Sequence, residues 1–412
     1  MKIKFNIIAL LVGTTALTFS SCKKSVDNGP QSQTVAVAVA PDLSENGTNP
    51  DQTVFSDLKS ANANIAYLYT ESNAEGQNQI LSYKQKANGS LTYLTMVASG
   101  GMGSGASLGS QGALALDQFH HLLFAVNAGD NTVSSFVIGH DGSLKLASTI
   151  GSKGQQPISL TAKNKLLYVL NGASDSISGF RYNALGVLSF INGSRQSLNG
   201  MGTGAEQISF SPNGKYLYVS EKVANKITTF PVNVMGVAGS GTTISSTGMT
   251  PYGFAFSRDR FLVISNASGG GAGASTCTSY KGVNVGLLLP VNGEVADTQT
   301  AACWLTTTEF GRFAYVSNAG SNNISSYYIG PEGGLHLAKA VAATAGTHPV
   351  DIVVAPNNYY VYNLNSGSQT ISGYHREFFG GLIVIGTTTG LPVSATGLIA
   401  FEQNNDSGYG DY

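Results

Sequence analysis

One short pattern returns seven times along the chain and restricts its fold more than any other feature. Each copy is an apolar strand that ends in a small or polar residue: YLYTES, LLFAVN, LLYVLN, YLYVSE, FLVISN, FAYVSN and YVYNLN. The closing residues are Ser72, Asn127, Asn171, Glu221, Asn266, Asn318 and Asn365, so that neighbouring copies lie 44 to 55 residues apart. This period is typical of the blades of a β-propeller and not of the shorter solenoid repeats.

Each copy continues in the same way and indicates a small four-stranded sheet. A Gly/Asn/Ser turn leads to a second apolar strand such as TVSSFVI or SISGFRY, then to a Gly-containing turn and a weaker strand. One more strand, such as QISFSPNGK or GFAFSRDR, precedes the next copy. No long stretch with helical periodicity competes with this pattern. Because small sheets of this kind bury both faces only when they pack side by side around an axis, we predict an all-β, seven-bladed β-propeller.

The order of the strands predicts how the ring closes. The first copy starts with its second strand, IAYLYT, and the chain ends with a first strand, TGLIAF, that has no sheet of its own. We therefore expect residues 395–402 to form the innermost strand of the blade whose other strands come from residues 65–97. The C-terminal strand would then join the N-terminal blade and cover the edges that an open ring exposes.

The N-terminus predicts export. Lys2 and Lys4 precede an apolar run over residues 7–19, and Phe19-Ser20-Ser21-Cys22 resembles a bacterial lipobox. The resemblance implies a signal peptide over residues 1–21, cleavage before Cys22 and acylation of that cysteine. Ordinary secretion or an uncleaved anchor are the alternatives. We expect a lipid-anchored protein of the cell envelope that contacts the membrane only through its lipid.

The remaining chain divides into three parts. Residues 22–62 are polar and rich in turn residues, which predicts a flexible tether, residues 63–403 form the predicted propeller, and residues 404–412 form a polar tail. Only 11% of the residues are charged, the net charge is -1 and no basic run occurs, which excludes a nucleic-acid-binding footprint. HExxH and calcium-loop motifs are absent, so we expect no metal and no cofactor, and we expect no serine-hydrolase elbow. We also expect a monomer.

Residues 65–402 resemble the lactonase-type seven-bladed propellers, a family that includes a bacterial 6-phosphogluconolactonase and a fungal carboxymuconate lactonising enzyme. The resemblance is most specific in GAEQISFSPNGKYLYVSEKVANKITTF, residues 204–230. The positions that agree there are Pro212, Asn213, Gly214, Lys215, Tyr216 and Tyr218. The polar positions differ, since Glu206-Gln207 stands where the family carries Arg-His and Glu221-Lys222 where it carries Asn-Glu. The resemblance implies the propeller fold and lactone chemistry.

Propeller geometry places candidate site residues at the mouth of the central channel, where the innermost strands begin. Aligning the copies brings to this mouth Gln156, Glu206, Gln207, Tyr252, Trp304, His348 and Asp351, with Glu221 and the strand-end Asn residues farther out on the same face. Lactone hydrolysis requires a base that activates water and a donor that stabilises the oxyanion. We predict His348 or Glu206 as the base and Gln207, Tyr252 or Trp304 as donors.

Other interpretations of these residues remain open. His348 lies in Gly-Thr-His-Pro and is also explained as a turn residue that binds backbone, while Glu206 and Asp351 are also explained as solvated channel residues. Trp304 is either a sugar-stacking platform or a packing residue. The repeated Asn residues suit a scaffold role, and Glu221 breaks their symmetry.

The charges and cysteines add two expectations. No Arg or Lys falls at the aligned starts of the innermost strands, which disfavours a phosphosugar and favours an uncharged sugar lactone or a glycan fragment. Cys277 and Cys303 are predicted to form a disulfide that staples residues 268–282, because the protein is expected to be exported.

Two functions are therefore compatible with the sequence. One is a metal-free, lactonase-like hydrolase or cyclase of the cell envelope that acts on a small-molecule lactone. The other is a non-catalytic envelope propeller that binds a glycan, a peptide or a protein at the same mouth.

Overall fold

Residues 65–403 are described in a computed structural model and form seven antiparallel sheets. The predicted signal peptide, Cys22, the tether and the tail over residues 404–412 lie outside these described residues. The sheets are numbered here as blades 1 to 7 in the order of the chain. Within residues 65–403 no helix has the length and apolar character needed to cross a membrane.

The first four blades take the strands up to Ser245. Blade 1 holds β1 (Ile65–Glu71), β2 (Gln79–Gln85) and β3 (Leu91–Ala98), and blade 2 holds β4 (Leu114–Asp117), β5 (Leu122–Asn127), β6 (Thr132–Ile138) and β7 (Leu144–Gly151). Blade 3 holds β8 (Pro157–Lys163), β9 (Leu166–Asn171), β10 (Ser176–Tyr182), β11 (Leu188–Phe190) and the short β12 (Gln196–Ser197). Blade 4 holds β13 (Ala205–Phe210), β14 (Tyr216–Glu221), β15 (Lys226–Pro231) and β16 (Thr242–Ser245).

The remaining strands complete the ring. Blade 5 holds β17 (Pro251–Ser257), β18 (Phe261–Asn266), β19 (Thr276–Lys281) and β20 (Leu289–Ala296), and blade 6 holds β21 (Ala302–Thr307), β22 (Phe313–Asn318), β23 (Asn323–Ile329) and β24 (Leu335–Thr344). Blade 7 holds β25 (Pro349–Val354), β26 (Tyr360–Asn365), β27 (Thr370–Arg376) and β28 (Leu382–Thr389), and β29 (Thr396–Gln403) ends the described chain. Two single-turn 3-10 helices, Gly172–Ser174 and Ser268–Gly270, follow the second strands of blades 3 and 5.

The predicted closure is confirmed. Strand β29 pairs with β1 in antiparallel register, with Ile65 opposite Gln403 and Tyr69 opposite Ile399. The innermost strands β29, β4, β8, β13, β17, β21 and β25 each contact the next one, and β25 returns to β29. The molecule is thus a closed seven-bladed propeller in which the last strand of the chain completes the first blade.

Burial explains why the second strand of each blade carries the clearest sequence signal. All six residues of β5, β9, β18 and β22 are buried, because neighbouring blades cover both faces of these strands. The outermost strands are far more exposed, as in β3, where no residue is fully buried. The continuous apolar runs of the sequence therefore mark the middle of each blade.

The repeated Asn at the end of the second strand ties two strands of one blade together. Its side-chain nitrogen donates to a hydroxyl seven residues later, at 2.8 Å for Asn127 and Ser134 and at 2.7 Å for Asn318 and Ser325. Asn171 and Asn365 make the same contact with Ser178 and Ser372. These bonds account for the Asn repeat as part of the scaffold.

Candidate functional site

The candidate site lies on the face where each innermost strand begins and each second strand ends, called here the mouth face. Register places both ends together, since Ala205 is opposite Glu221 in blade 4 and Pro349 is opposite Asn365 in blade 7. The first residues of the innermost strands therefore surround the channel on this face, as the sequence predicts.

A stretch that sequence reasoning missed runs across this mouth. Residues 107–112, called here the crossing segment, join blade 1 to blade 2 and contact blades on the far side of the channel. The indole nitrogen of Trp304 donates to the carbonyl of Ser110 at 2.9 Å, and the hydroxyl of Tyr252 donates to the carbonyl of Gly109. The Ser110 hydroxyl donates to the carbonyl of Ile158 at 2.8 Å. The segment is therefore held by blades 3, 5 and 6.

Gln111 of the crossing segment forms a two-point clamp on the backbone of blade 6. Its Nε2 donates to the carbonyl of Leu305 at 2.7 Å, and its Oε1 accepts from the amide of the same residue at 3.0 Å. Gln207 makes the matching pair of bonds with Phe254 in blade 5, at 2.9 and 2.7 Å. Gly253 leaves the space for Gln111, because a Cβ there would lie 2.0 Å from its Oε1. Gln207 is thus bound to backbone in this structure, although we predicted it as an oxyanion donor.

Tyr252 and Trp304 form a buried aromatic pair beneath the crossing segment. Their ring centroids are 5.1 Å apart in an edge-to-face arrangement. A sugar-stacking platform needs an open ring face, but Trp304 is only 2% exposed and donates its N–H to Ser110. Of the two interpretations of Trp304, the packing role fits this arrangement.

Glu206 and Lys222 form an ion pair at the mouth. The Lys222 ammonium contacts Oε1 of Glu206 and lies 5.2 Å from the centre of the Tyr252 ring. Glu206 is buried, and its Oε2 has no hydrogen-bond partner among the described residues. Burial raises the pKa of Glu206 to about 7, and the Lys222 ammonium and the Tyr252 hydroxyl partly offset that rise.

Lys222 was absent from the predicted site, although a signal for it exists in the sequence. It occupies the second position of the pair in which the lactonase-type propellers carry Asn-Glu, and Glu206 occupies the first position of their Arg-His pair. Each of the two positions therefore carries the opposite charge in this chain. Lys222 contacts Glu206, so the two positions together still hold one cation and one carboxylate. Relative to the pattern of the lactonase-type propellers, the cation and the carboxylate have exchanged positions.

Glu221 replaces the scaffold Asn in blade 4 and keeps its contact with the direction reversed. The hydroxyl of Thr228, seven residues later, donates to Oε1 of Glu221. Burial raises the pKa of Glu221, and the Thr228 bond partly offsets this. Glu221 is fully buried within its blade, whereas Lys222, the next residue, contacts Glu206.

His348 and Gln156 belong to a recurring turn that precedes the innermost strand. Both have positive φ angles, 53° in each case, and both donate their backbone N–H to an Asn of the preceding blade. The bonds reach Asn322 from His348 at 2.8 Å and Asn131 from Gln156 at 2.6 Å. His348 also lies in blade 7, whose innermost strand contacts those of blades 6 and 1 and not that of blade 4. The structure therefore does not bring His348 beside Glu206, and burial lowers the pKa of its imidazole.

A second pair of buried acids lies between blades 7 and 1. Asp351 accepts the amides of Leu398 at 2.9 Å and Ile352 at 3.1 Å, and burial raises its pKa to about 7. Glu71, which sequence reasoning missed, accepts from the side chain of Asn78 at 3.1 Å. Burial raises the pKa of Glu71 strongly, and the nearby Asp351 adds to that rise. Asp351 is thus a buried, backbone-bound carboxyl and not a solvated channel residue.

The predicted disulfide is wrong for this structure. Cys277 and Cys303 are not joined, and both are buried. Their side chains lie in different apolar clusters, Cys277 with Val263 and Tyr327 and Cys303 with Tyr252 and Trp304. Adjacent blades place the two strands close together, but the two side chains point into different layers of the core.

No metal-binding constellation is visible in the part of the chain that the structure describes. Across residues 65–403, no three His, Cys, Asp or Glu side chains come together closely enough to hold an ion.

Comparison with known proteins gives a family and several similar folds. The family described as "Lactonase, 7-bladed beta-propeller" matches residues 32–200, 162–274 and 287–389. A candidate 6-phosphogluconolactonase from Bacteroides uniformis is 19% identical with a TM-score of 0.68, over 82% of this chain and 99% of the other. The periplasmic gluconolactonase PpgL of Pseudomonas aeruginosa is 19% identical with a TM-score of 0.66, over 82% of this chain and 100% of the other. No curated protein sequence matches the chain.

Proposed function

The chain belongs to the family of seven-bladed lactonase β-propellers, and from this premise we propose that it hydrolyses an uncharged sugar or carboxylic lactone at the mouth of its channel. The observation that carries the proposal is the ion pair between the buried Glu206 and the half-buried Lys222. The reverse reaction, cyclisation, would use the same groups.

Glu206 is suited to act as the general base. A base works best when its pKa lies near the working pH, and the pKa of Glu206 is about 7. Lys222 contacts Oε1, whereas Oε2 has no partner among the described residues. We assign Oε2 as the atom that accepts a proton from the attacking water.

Lys222 is suited to stabilise the charge that develops on the lactone carbonyl. Water attacks the carbonyl carbon, its proton passes to Glu206, and the carbonyl oxygen gains a negative charge beside the Lys222 ammonium. The ring C–O bond then breaks, and the proton on Glu206 passes to the departing ring oxygen. The product is the open hydroxy acid, and Glu206 returns to its starting state.

The charges of the mouth favour a substrate without phosphate. The carboxyl groups of Glu71, Glu206, Glu221 and Asp351 are all buried there. In residues 65–403, no Arg or Lys begins an innermost strand. A phosphate dianion requires Arg, Lys or clustered N–H donors, and Lys222, the cation described at this point of the mouth, is already paired with Glu206, so a neutral lactone such as gluconolactone fits better. The predicted acylation of Cys22 supports a place in the cell envelope.

The crossing segment favours a second candidate, a propeller that binds a ligand without turning it over. This segment covers the channel mouth and uses the polar atoms of Tyr252 and Trp304. A glycan or peptide would then bind beside Lys222 on the surface of the mouth.

A lactone panel distinguishes the two candidates. Glucono-δ-lactone and 6-phosphogluconolactone are assayed with the wild type, Glu206→Gln, His348→Ala and Glu221→Gln, the last being a matched buried Glu of the same blade. We expect faster opening of the neutral lactone and a loss of about 10²- to 10⁴-fold in kcat for Glu206→Gln. The two other variants should remain within a few-fold of the wild type.

The panel also shows how the proposal fails. Full activity in Glu206→Gln would remove Glu206 as the base, and a large loss in His348→Ala would restore the histidine. If the folded wild type opens none of the lactones, the binding candidate is favoured. Circular dichroism of each variant checks that the substitution has not unfolded the protein.

A further inference from the structure

The face opposite the mouth, called here the far face, carries the turn between the third and fourth strands of every blade. The chain of the propeller both starts and finishes there, because Ile65 at the start of β1 is paired with Gln403 at the end of β29. The 64 residues that precede β1, including the predicted acylation site Cys22, are therefore joined to the propeller at the far face.

The same turn is polar in blades 1, 2 and 6, where it reads KANGSL, HDGSL and PEGGL, and apolar in the other four blades. Blade 7 carries EFFGGL, with Phe378 and Phe379 37% and 53% exposed, and the polar turn of blade 6 separates it from the remaining three. The turns of the adjacent blades 3, 4 and 5 read NALGVL, NVMGVA and NVGLLL. The apolar side chains of these three turns that point to solvent are each 50% exposed or more: Leu185, Val187, Val234, Met235, Val285 and Leu287. Because the turn forms equally well with Asn, Asp or Glu, its geometry does not require these apolar residues.

The three turns are fixed by the preceding blade, so their apolar side chains are held outward. Ser135 donates to the carbonyl of Gly186 at 2.6 Å, Tyr168 to Gly236 at 2.7 Å and Tyr218 to Val283 at 2.9 Å. Folding these side chains inward would break such bonds. The apolar patch is therefore a preformed surface.

Basic side chains surround the patch. The exposed charged residues at the far-face ends of blades 3 to 5 are five cations, Lys165, Arg181, Lys215, Arg260 and Lys281, and one acid, Asp259; Arg260 also lies 4.0 Å from the exposed Glu332 of blade 6. An apolar surface within a basic rim matches a membrane whose lipids carry negative head groups. A protein partner would need acidic groups at matching positions, whereas an anionic lipid surface meets the whole rim at once.

We propose that the far face of blades 3 to 5 docks on an anionic lipid surface, with the apolar turns inserted among the head groups and the mouth directed away from the membrane. The connection of the N-terminal residues at the same face brings the predicted lipid anchor to this side. Membrane contact would thus extend beyond the lipid. This inference is independent of the proposed lactonase activity.

Two single-cysteine labels test the orientation. Leu185→Cys on the far face and Val223→Cys on the mouth face are matched, since both native side chains are 70% exposed. Both variants carry Cys22→Ser, and Cys277 and Cys303 are fully buried, so an environment-sensitive thiol dye labels only the introduced cysteine. The full-length protein is mixed with phosphatidylcholine vesicles that contain phosphatidylglycerol. We expect a blue shift and quenching by brominated lipids at position 185 and neither at position 223.

Charge variants test the choice of lipid. Lys215→Gln with Lys281→Gln should weaken the response at position 185 severalfold on vesicles with phosphatidylglycerol, while the control Lys153→Gln with Lys339→Gln should not. Equal responses at positions 185 and 223, or a larger one at 223, would overturn the proposal. So would a blue shift at 185 that grows with protein concentration without vesicles, because it would identify a second copy as the occupant.

Discussion

Glu206 differs from the other buried acids of the mouth because its carboxylate contacts an ammonium group. Asp351 accepts backbone amides and Glu221 accepts the hydroxyl of Thr228. Glu206 contacts the ammonium of Lys222, whereas the ion pair of Arg260 with Glu332 is exposed to solvent. Glu206 thus combines a base with a cation at one point.

Replacing Lys222 should shift the pH dependence of the reaction. In Lys222→Met the pKa of Glu206 should rise further above 7 by about 1 to 3 units, because an opposite charge at this range lowers an acid's pKa by that amount. The acid limb of the kcat/KM profile should move to higher pH, and Lys222→Arg should keep it near the wild-type position. A carboxyl 13C titration measures the same shift without substrate. An unchanged midpoint in Lys222→Met would contradict the pairing.

The sequence predicted Glu206 at the mouth, but the local backbone decides what it contacts. Strand β13 has a bulge between Ala205 and Gln207, so that Glu206 is an additional residue in the pairing with β14. A bulge turns side chains away from the simple alternation on which strand predictions depend. The alternation gave no reason to pair Glu206 with Lys222, and the pair was found only in three dimensions.

At the scale of the elements, the strands were predictable and the crossing segment was not. Strands repeat, so their apolar runs reveal them, and the unpaired TGLIAF strand revealed the closure. The crossing segment occurs once, and its contacts from Ser110 to Trp304 and from Gln111 to Leu305 each join residues 194 positions apart. Neither the strand periodicity nor the family resemblance of the turns carries such information.

Gln111 should be the residue that holds the crossing segment most firmly. In Gln111→Ala both bonds to Leu305 are lost and the two buried backbone groups lose this partner, which should lower the free energy of unfolding by about 1 to 3 kcal/mol. Urea unfolding measures the change, and the exposed Gln155→Ala is the control, with no expected loss. Hydrogen exchange at residues 107–112 should quicken in Gln111→Ala. Wild-type stability and exchange would show that the amide clamp is not what holds the segment.

At the scale of the whole molecule, buried acids are concentrated on one face of the ring. Five carboxyl groups with raised pKa values lie at the mouth-face ends of their strands: Glu71, Glu206, Glu221, Asp297 and Asp351. Burial is the largest cause of the rise in each case, and the pKa of Asp297 reaches about 6. The folded propeller thus binds protons that the unfolded chain releases between about pH 4 and pH 7.

This imbalance predicts a protein that becomes more stable as the pH falls from 8 to 5. A carboxyl whose pKa is higher in the folded state contributes stability below its unfolded pKa, near 4, and that contribution is lost as the pH rises through the folded pKa, about 7 for Glu206 and Asp351. His121 and His348, whose pKa values burial lowers, oppose the trend, but the five carboxyls outnumber them. Thermal unfolding across this range should show Tm decreasing with rising pH, and Asp351→Asn should flatten the curve because one titrating group is removed. A Tm that rises with pH would mean that these carboxyls are solvated and ionised at neutral pH. The pKa of Glu206 would then lie well below 7, and Glu206 would be a weaker general base at neutral pH.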